Sequence, residues 1–80
     1  MHVSAQISVY PLRQDQLSPA IREVQDLLAA AGLQLTPGPM STLVTGEASA
    51  VFDGLKTSFS RAAATGHVVM IVTVSNACPV

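Results

Sequence analysis

Charge is scarce in this 80-residue chain: four Lys or Arg and five Asp or Glu make up 11% of it, for a formal net charge of -1. A typical soluble domain carries about 25% charged residues. Tryptophan is absent and there is one cysteine, Cys78. The cations Arg13, Arg22, Lys56 and Arg61 form no basic stripe. With no stripe and no tryptophan platform, neither phosphate neutralisation nor base stacking is supplied, and no nucleic-acid partner is expected. One thiol excludes an intrachain disulfide and the multi-cysteine zinc patterns, so neither a metal nor a resident cofactor is expected. The longest apolar run, Val68 to Val72, is far shorter than the ~20 residues of a membrane-spanning helix. No basic segment followed by an apolar stretch marks a signal peptide. The expected location is cytoplasmic, with no membrane partner.

Apolar types, by contrast, make up 49% of the chain. A chain of this length forms one domain, residues 1–80, and buries only about 60–65% of its unfolded surface. So little charge on so small a body leads us to expect a homo-oligomer, a dimer or tetramer joined through sheet faces or edges.

Val3, Ala5, Ile7 and Val9 alternate with Ser4, Gln6, Ser8 and Tyr10. Successive side chains of a strand point to opposite faces, so this segment has an apolar face and an uncharged polar face. Pro11 is expected to end it, and Leu12 to Leu17 to form a loop. Ser18-Pro19 starts a helix, serine as a cap and proline in the first turn. Ile21, Val24, Leu27, Leu28 and Ala31 supply its apolar stripe, and Arg22, Glu23, Gln25 and Asp26 lie mostly opposite. Gly32 is placed to close it. Leu33–Thr36 and Ser41–Thr45 read as a hairpin around Pro37-Gly38-Pro39. Gly46-Glu47 opens a second helix, with the Glu47 charge in its first turn. Val51, Phe52, Leu55, Phe59 and Ala62 make its core face, and Gly66 its end. His67 to Ser75 is a last strand, apolar on both faces from Val68 to Val72, which implies cover on both sides.

The order βαββαβ, with right-handed crossovers, is solved most simply by an α+β ferredoxin-like fold. Its four-stranded antiparallel sheet carries both helices on one face, and the polar row of the first strand lies on the other.

Catalysis is not expected. His2 and His67 stand at strand starts without a carboxylate at a spacing that fixes a partner, and a nucleophile needs a base within hydrogen-bond reach. Phosphate-binding loops, dinucleotide fingerprints and paired carboxylates are all missing. What remains is the polar set. Ser8, Tyr10 and either Thr42 or Thr45 are expected near one end of the sheet with Glu47 just beyond, while Ser75 and Asn76 fall nearer His2. Hydroxyls, an amide, a ring and a carboxylate suit an uncharged or weakly cationic heteroaromatic ligand. On spacing alone the commoner role of such a row, pairing across strands or a subunit contact, is favoured over a ligand site.

Four blocks in order, Val3 to Leu12, Gly38-Pro39-Met40-Ser41-Thr42, Thr45-Gly46-Glu47 and Val72-Thr73-Val74-Ser75-Asn76, resemble the YkoF-like thiamine-binding family over essentially the whole chain. The resemblance implies the same ferredoxin-like fold, assembly into dimers or tetramers through the sheets, and non-catalytic binding of thiamine or its hydroxymethylpyrimidine moiety as carrier, buffer or sensor. It implies ligand contacts for Ser8, Thr42, Glu47 and Asn76, with Tyr10 as a pocket wall, while Pro11, Pro39 and Gly46 look architectural. The competing expectation is an oligomerisation domain, structural or regulatory, without a small-molecule ligand.

Overall fold

A computed structural model describes residues 1–12, 18–64 and 66–77. The elements are β1 (His2–Leu12), α1 (Ser18–Ala30), β2 (Gln34–Pro37), β3 (Thr42–Glu47), α2 (Ala48–Ala63) and β4 (His67–Ser75). They form one antiparallel sheet in the order β2-β3-β1-β4, with both helices on one face: the ferredoxin-like α+β architecture.

The alternation in β1 does what it promised. Val3, Ala5 and Ile7 are buried under the helices together with Val24, Leu28, Leu33, Val44, Val51 and Ala62. α1 follows the expected stripe and closes at Gly32, whose φ of 82 lies in the left-handed region that a side chain disfavours. The Ser18 side chain, and with it the expected cap, falls outside what is described, as do the segment 13–17 and Cys78.

Several boundaries differ from the sequence pattern. β1 continues through Pro11 to Leu12, pairing with Val68 and His67 of β4. Its pairing with β3 ends at Ile7 opposite Thr42. Beyond that point β1 has one neighbour, and proline is tolerated on a strand edge where no amide is required. The hairpin sits one residue later than expected, so Pro37 is paired with Thr42 and Gly38 N–H donates to the Ser41 carbonyl at 2.8 Å. Gly46 and Glu47 belong to β3, and Glu47 is the N-cap of α2 rather than part of its first turn. Its side chain makes no capping bond; instead the Ala48 N–H donates to the Met1 carbonyl at 2.8 Å. α2 ends at Ala63, before Gly66.

The largest correction concerns α2. Its buried residues are Val51, Gly54, Ser58 and Ala62, whereas Phe52 and Phe59 are 55% and 42% exposed. Small residues bring α2 close to α1: a side chain at Gly54 would meet Leu28 Cδ2 at 3.1 Å. The space under α2 is therefore filled by Val51 and its neighbours, and the rings are turned about a quarter of a turn to the side. Val69 and Ile71 of β4 are also exposed in the single chain, so its open face lacks the cover that the sequence implied.

Candidate functional site

The register decides which side chains meet. On β3, Thr42 and Val44 sit beside Ile7 and Ala5, so they share the helix-covered face, while Leu43, Thr45 and Glu47 share the open one. Thr42 is accordingly buried, and its hydroxyl accepts a hydrogen bond from Gln25 Nε2 of α1 at 3.1 Å.

Beside this pair lies a cavity of about 100 Å³ between α1, the end of β1 and the β2–β3 turn. Ile7, Val9, Ile21, Val24 and Leu28 give it apolar walls. Ser8, Gln25, Ser41 and Thr42 are its polar lining residues, and Gly38, Pro39 and Met40 close one side. Because β3 stops pairing with β1 at Thr42, the turn leans over the exposed part of β1 and is latched to it. Ser8 Oγ donates to the Met40 carbonyl at 3.3 Å, and Gln6 Nε2 to Ser41 Oγ at 3.1 Å. Met40 itself is 80% exposed at the rim. None of the described lining residues is ionisable. The cavity therefore offers neutral donors and acceptors around an apolar centre, which suits a small uncharged polar ring.

The residues singled out from the sequence divide into three places. Ser8 and Thr42 meet at the cavity. Tyr10 projects from the open face, across from Val69. Glu47 lies opposite His2, five register positions from Thr42, or about 16 Å along the strand. There it accepts a hydrogen bond from the Met1 ammonium at 2.6 Å, which holds the carboxyl below its ordinary range; slight desolvation opposes this. Asn76 is at the same end, with its amide 3.6 Å from Met1 Sδ. One small ligand in the cavity thus reaches Ser8 and Thr42 but not the Glu47 group of the same chain.

Gln25 and Ser41 were missed by sequence reasoning. Ile21, Gln25 and Leu28 follow the four- and three-residue steps of one helix face, so a polar residue within an otherwise apolar stripe was the available signal for Gln25. Among the described residues, no cluster of three His, Cys, Asp or Glu side chains is arranged to hold a metal ion. Among the same residues no helix is long and apolar enough to cross a membrane.

A ferredoxin-like domain with a neutral cavity under one helix defines the class of protein. More particularly, residues 2–80 match the model of the YKOF-related family, and the chain belongs to that family. Its fold closely resembles that of MJ1052 from Methanocaldococcus jannascii, with a TM-score of 0.88 at 17% identity over 99% of this chain and 84% of that one. SP2199 from Streptococcus pneumoniae superposes with a TM-score of 0.85 at 23% identity, covering 94% of this chain and 86% of that chain. TM0486 from Thermotoga maritima, a protein provisionally assigned to thiamine biosynthesis or salvage, gives 0.83 at 22% identity over 94% and 83% of the two chains. No curated protein matches the sequence.

Proposed function

We propose that this chain binds the hydroxymethylpyrimidine part of thiamine, without catalysis, in the cavity beside Thr42. The observation that carries the reading is the Gln25–Thr42 pair at the wall of a pocket whose described lining has no ionisable side chain. An aminopyrimidine presents both donors and acceptors on a flat ring, which hydroxyl and amide groups can satisfy in the absence of charge. Size narrows the ligand further. Drug-sized ligands occupy roughly 300–1,000 Å³, whereas this cavity measures about 100 Å³. One ring with its small substituents enters, and the thiazolium of whole thiamine stays at the rim near Met40. Membership of the YKOF-related family and the likeness to TM0486 support the thiamine assignment. The described lining pairs no nucleophile with a base, in keeping with a proposed role as a carrier, buffer or sensor.

Titration calorimetry with hydroxymethylpyrimidine and with thiamine tests this. Saturable heat near one ligand per chain is expected for both, with most of the affinity retained by the pyrimidine alone. Absence of heat from either at about millimolar concentration, a binding energy of only ~4 kcal/mol, would overturn the proposal.

A further inference from the structure

The polar residues of the cavity fall into two hydrogen-bonded sets. Ser8 Oγ donates to the Met40 carbonyl and Ser41 Oγ accepts from Gln6, so both hydroxyls belong to the latch of the β2–β3 turn. Gln25 and Thr42 are bonded to each other instead, Nε2 donating to Oγ1 at 3.1 Å. Among the described residues no third group holds either end of this pair.

The pair keeps one property whichever way it is turned. A threonine hydroxyl has one proton and two lone pairs, and a glutamine amide has a donor end and an acceptor end. With Gln25 Nε2 donating to Thr42, the Thr42 proton and the Gln25 carbonyl are left for a ligand: a donor beside an acceptor. With the amide turned over and the hydroxyl donating to it, Thr42 presents a lone pair and Gln25 an N–H: an acceptor beside a donor. The two ends of an amide are nearly equal in size, so both senses occupy the same space. Another glutamine–threonine pair in this chain has the second sense, Thr45 Oγ1 donating to Gln34 Oε1 at 3.5 Å. Thr42 is only 8% exposed, and a buried donor or acceptor left without a partner costs more than a typical bond returns. A ring edge seated on the pair must therefore match it.

We infer, on the assignment of this cavity as the ligand site, that Gln25 is its specificity-determining residue and reads a donor–acceptor edge in either sense. The site accordingly takes both amino- and oxo-substituted pyrimidines, the first with the amide as it stands and the second with it turned over. Against the amino ring, Thr42 donates to the ring nitrogen and the exocyclic amine donates to Gln25 Oε1. Against the oxo ring, the ring N–H donates to Thr42 Oγ1 and Gln25 Nε2 donates to the exocyclic oxygen. The Thr42 proton then goes to Gln25 Oε1. Both bonds of the edge are made in each arrangement. A ring with hydrogen in place of the exocyclic group matches neither, because the outer end of Gln25 loses its partner. Rejecting the oxo ring would take a further group that pins the amide, and the hydroxyls of Ser8 and Ser41 are engaged by the turn.

Titration calorimetry of the parent chain, Gln25→Glu and Gln25→Met tests this, with circular dichroism to monitor the fold. The probes are hydroxymethylpyrimidine, its oxo counterpart and the counterpart with hydrogen in place of the amino group. In the parent chain the amino and oxo rings are expected to bind within about tenfold of each other, and the unsubstituted ring at least about tenfold more weakly than either. Gln25→Glu puts an acceptor-only carboxylate against the exocyclic group, so the preference for the amino ring is expected to grow to at least about 100-fold. Gln25→Met keeps the length without the amide and is expected to weaken both rings while leaving their ratio near that of the parent chain. A parent chain that binds the amino ring about 100-fold more tightly than the oxo ring would overturn the turning pair and leave the cavity as a site for the thiamine ring. An unchanged ratio in folded Gln25→Glu, with both rings weakened alike, would make Gln25 a structural residue. If the parent chain binds none of the rings, the assignment of the cavity fails and the role of Gln25 with it.

Discussion

Gln25 of α1 and Thr42 of β3 are joined by a 3.1 Å hydrogen bond that crosses from the helix layer to the sheet at the wall of the cavity under α1. The bond ties the first residue of β3 to the helix that roofs the cavity. Thr42→Val keeps the shape and removes the acceptor, leaving the Gln25 amide without this partner. A loss of ~1 kcal/mol in stability is expected, measured by urea unfolding. Affinity for hydroxymethylpyrimidine is expected to fall about tenfold by calorimetry, equivalent to ~1.4 kcal/mol. If stability falls and affinity does not, the bond is structural and Thr42 is not a ligand contact.

The turn that closes the cavity provides an independent check. Ser8→Ala removes the hydrogen bond to the Met40 carbonyl while leaving Thr42 and Gln25 in place. This carbonyl is exposed and can turn to water, so the expected cost in stability is below ~1 kcal/mol. The effect on binding is expected to be larger than that, because the turn from Gly38 to Ser41 loses a latch to β1. Faster ligand dissociation in stopped-flow measurements, with little change in association, is the expected signature.

The element order was legible because two periodicities dominate the chain. Alternation from Val3 to Val9 admits one strand phase, and the three- and four-residue steps of Val24 and Leu28 admit one helix face. Phe52 and Phe59 were not legible as surface residues, because hydrophobic spacing cannot separate a core stripe from an apolar stripe next to it. Val51 and Phe52 are consecutive, and either could have led the buried face. Small Gly54 and Ser58 decided the matter by letting α1 and the sheet come close. Thr42 was ambiguous for a different reason. Both faces of β3 mix polar and apolar residues, so its orientation rests on the pairing of Ile7 with Thr42, which is a long-range property. The same register separates Glu47 from Ser8, although the segment between Thr42 and Glu47 is short in sequence.

Two glycines bear on stability by different routes, and one substitution distinguishes them. A side chain at Gly46 of β3 would place its Cβ 2.5 Å from Leu33 Cδ2, and Leu33 is buried in the core. Gly46→Ala is expected to cost ~1–3 kcal/mol through overpacking. Gly32→Ala meets nothing within 4 Å but forces alanine into a φ of 82, for a cost of ~1–2 kcal/mol. In a Leu33→Ala background the Gly46→Ala cost is expected to shrink while that of Gly32→Ala is unchanged. A double-mutant cycle by urea unfolding measures both.

The contact between the Met1 ammonium and Glu47 gives the fold a defined pH response. The hydrogen bond from the ammonium lowers the Glu47 carboxyl below its ordinary range, so the folded chain binds this proton less readily than the unfolded one. Stability from this group is therefore fully present above the ordinary carboxylate value and is lost as the pH falls through the lowered folded value. Glu47→Gln should remove that part of the acid dependence. The difference in urea midpoint between the parent chain and the variant is expected to be largest near neutral pH and to close on acidification toward about pH 3. Both partners are solvent-exposed, so salt at about 1 M, where the Debye length is only ~3 Å, should shrink the difference at neutral pH as well. Ligand binding at the Thr42 cavity, about 16 Å away along β3, is expected to be unaffected by Glu47→Gln. A variant that lost affinity with its stability intact would instead place the Glu47 carboxylate in the ligand site.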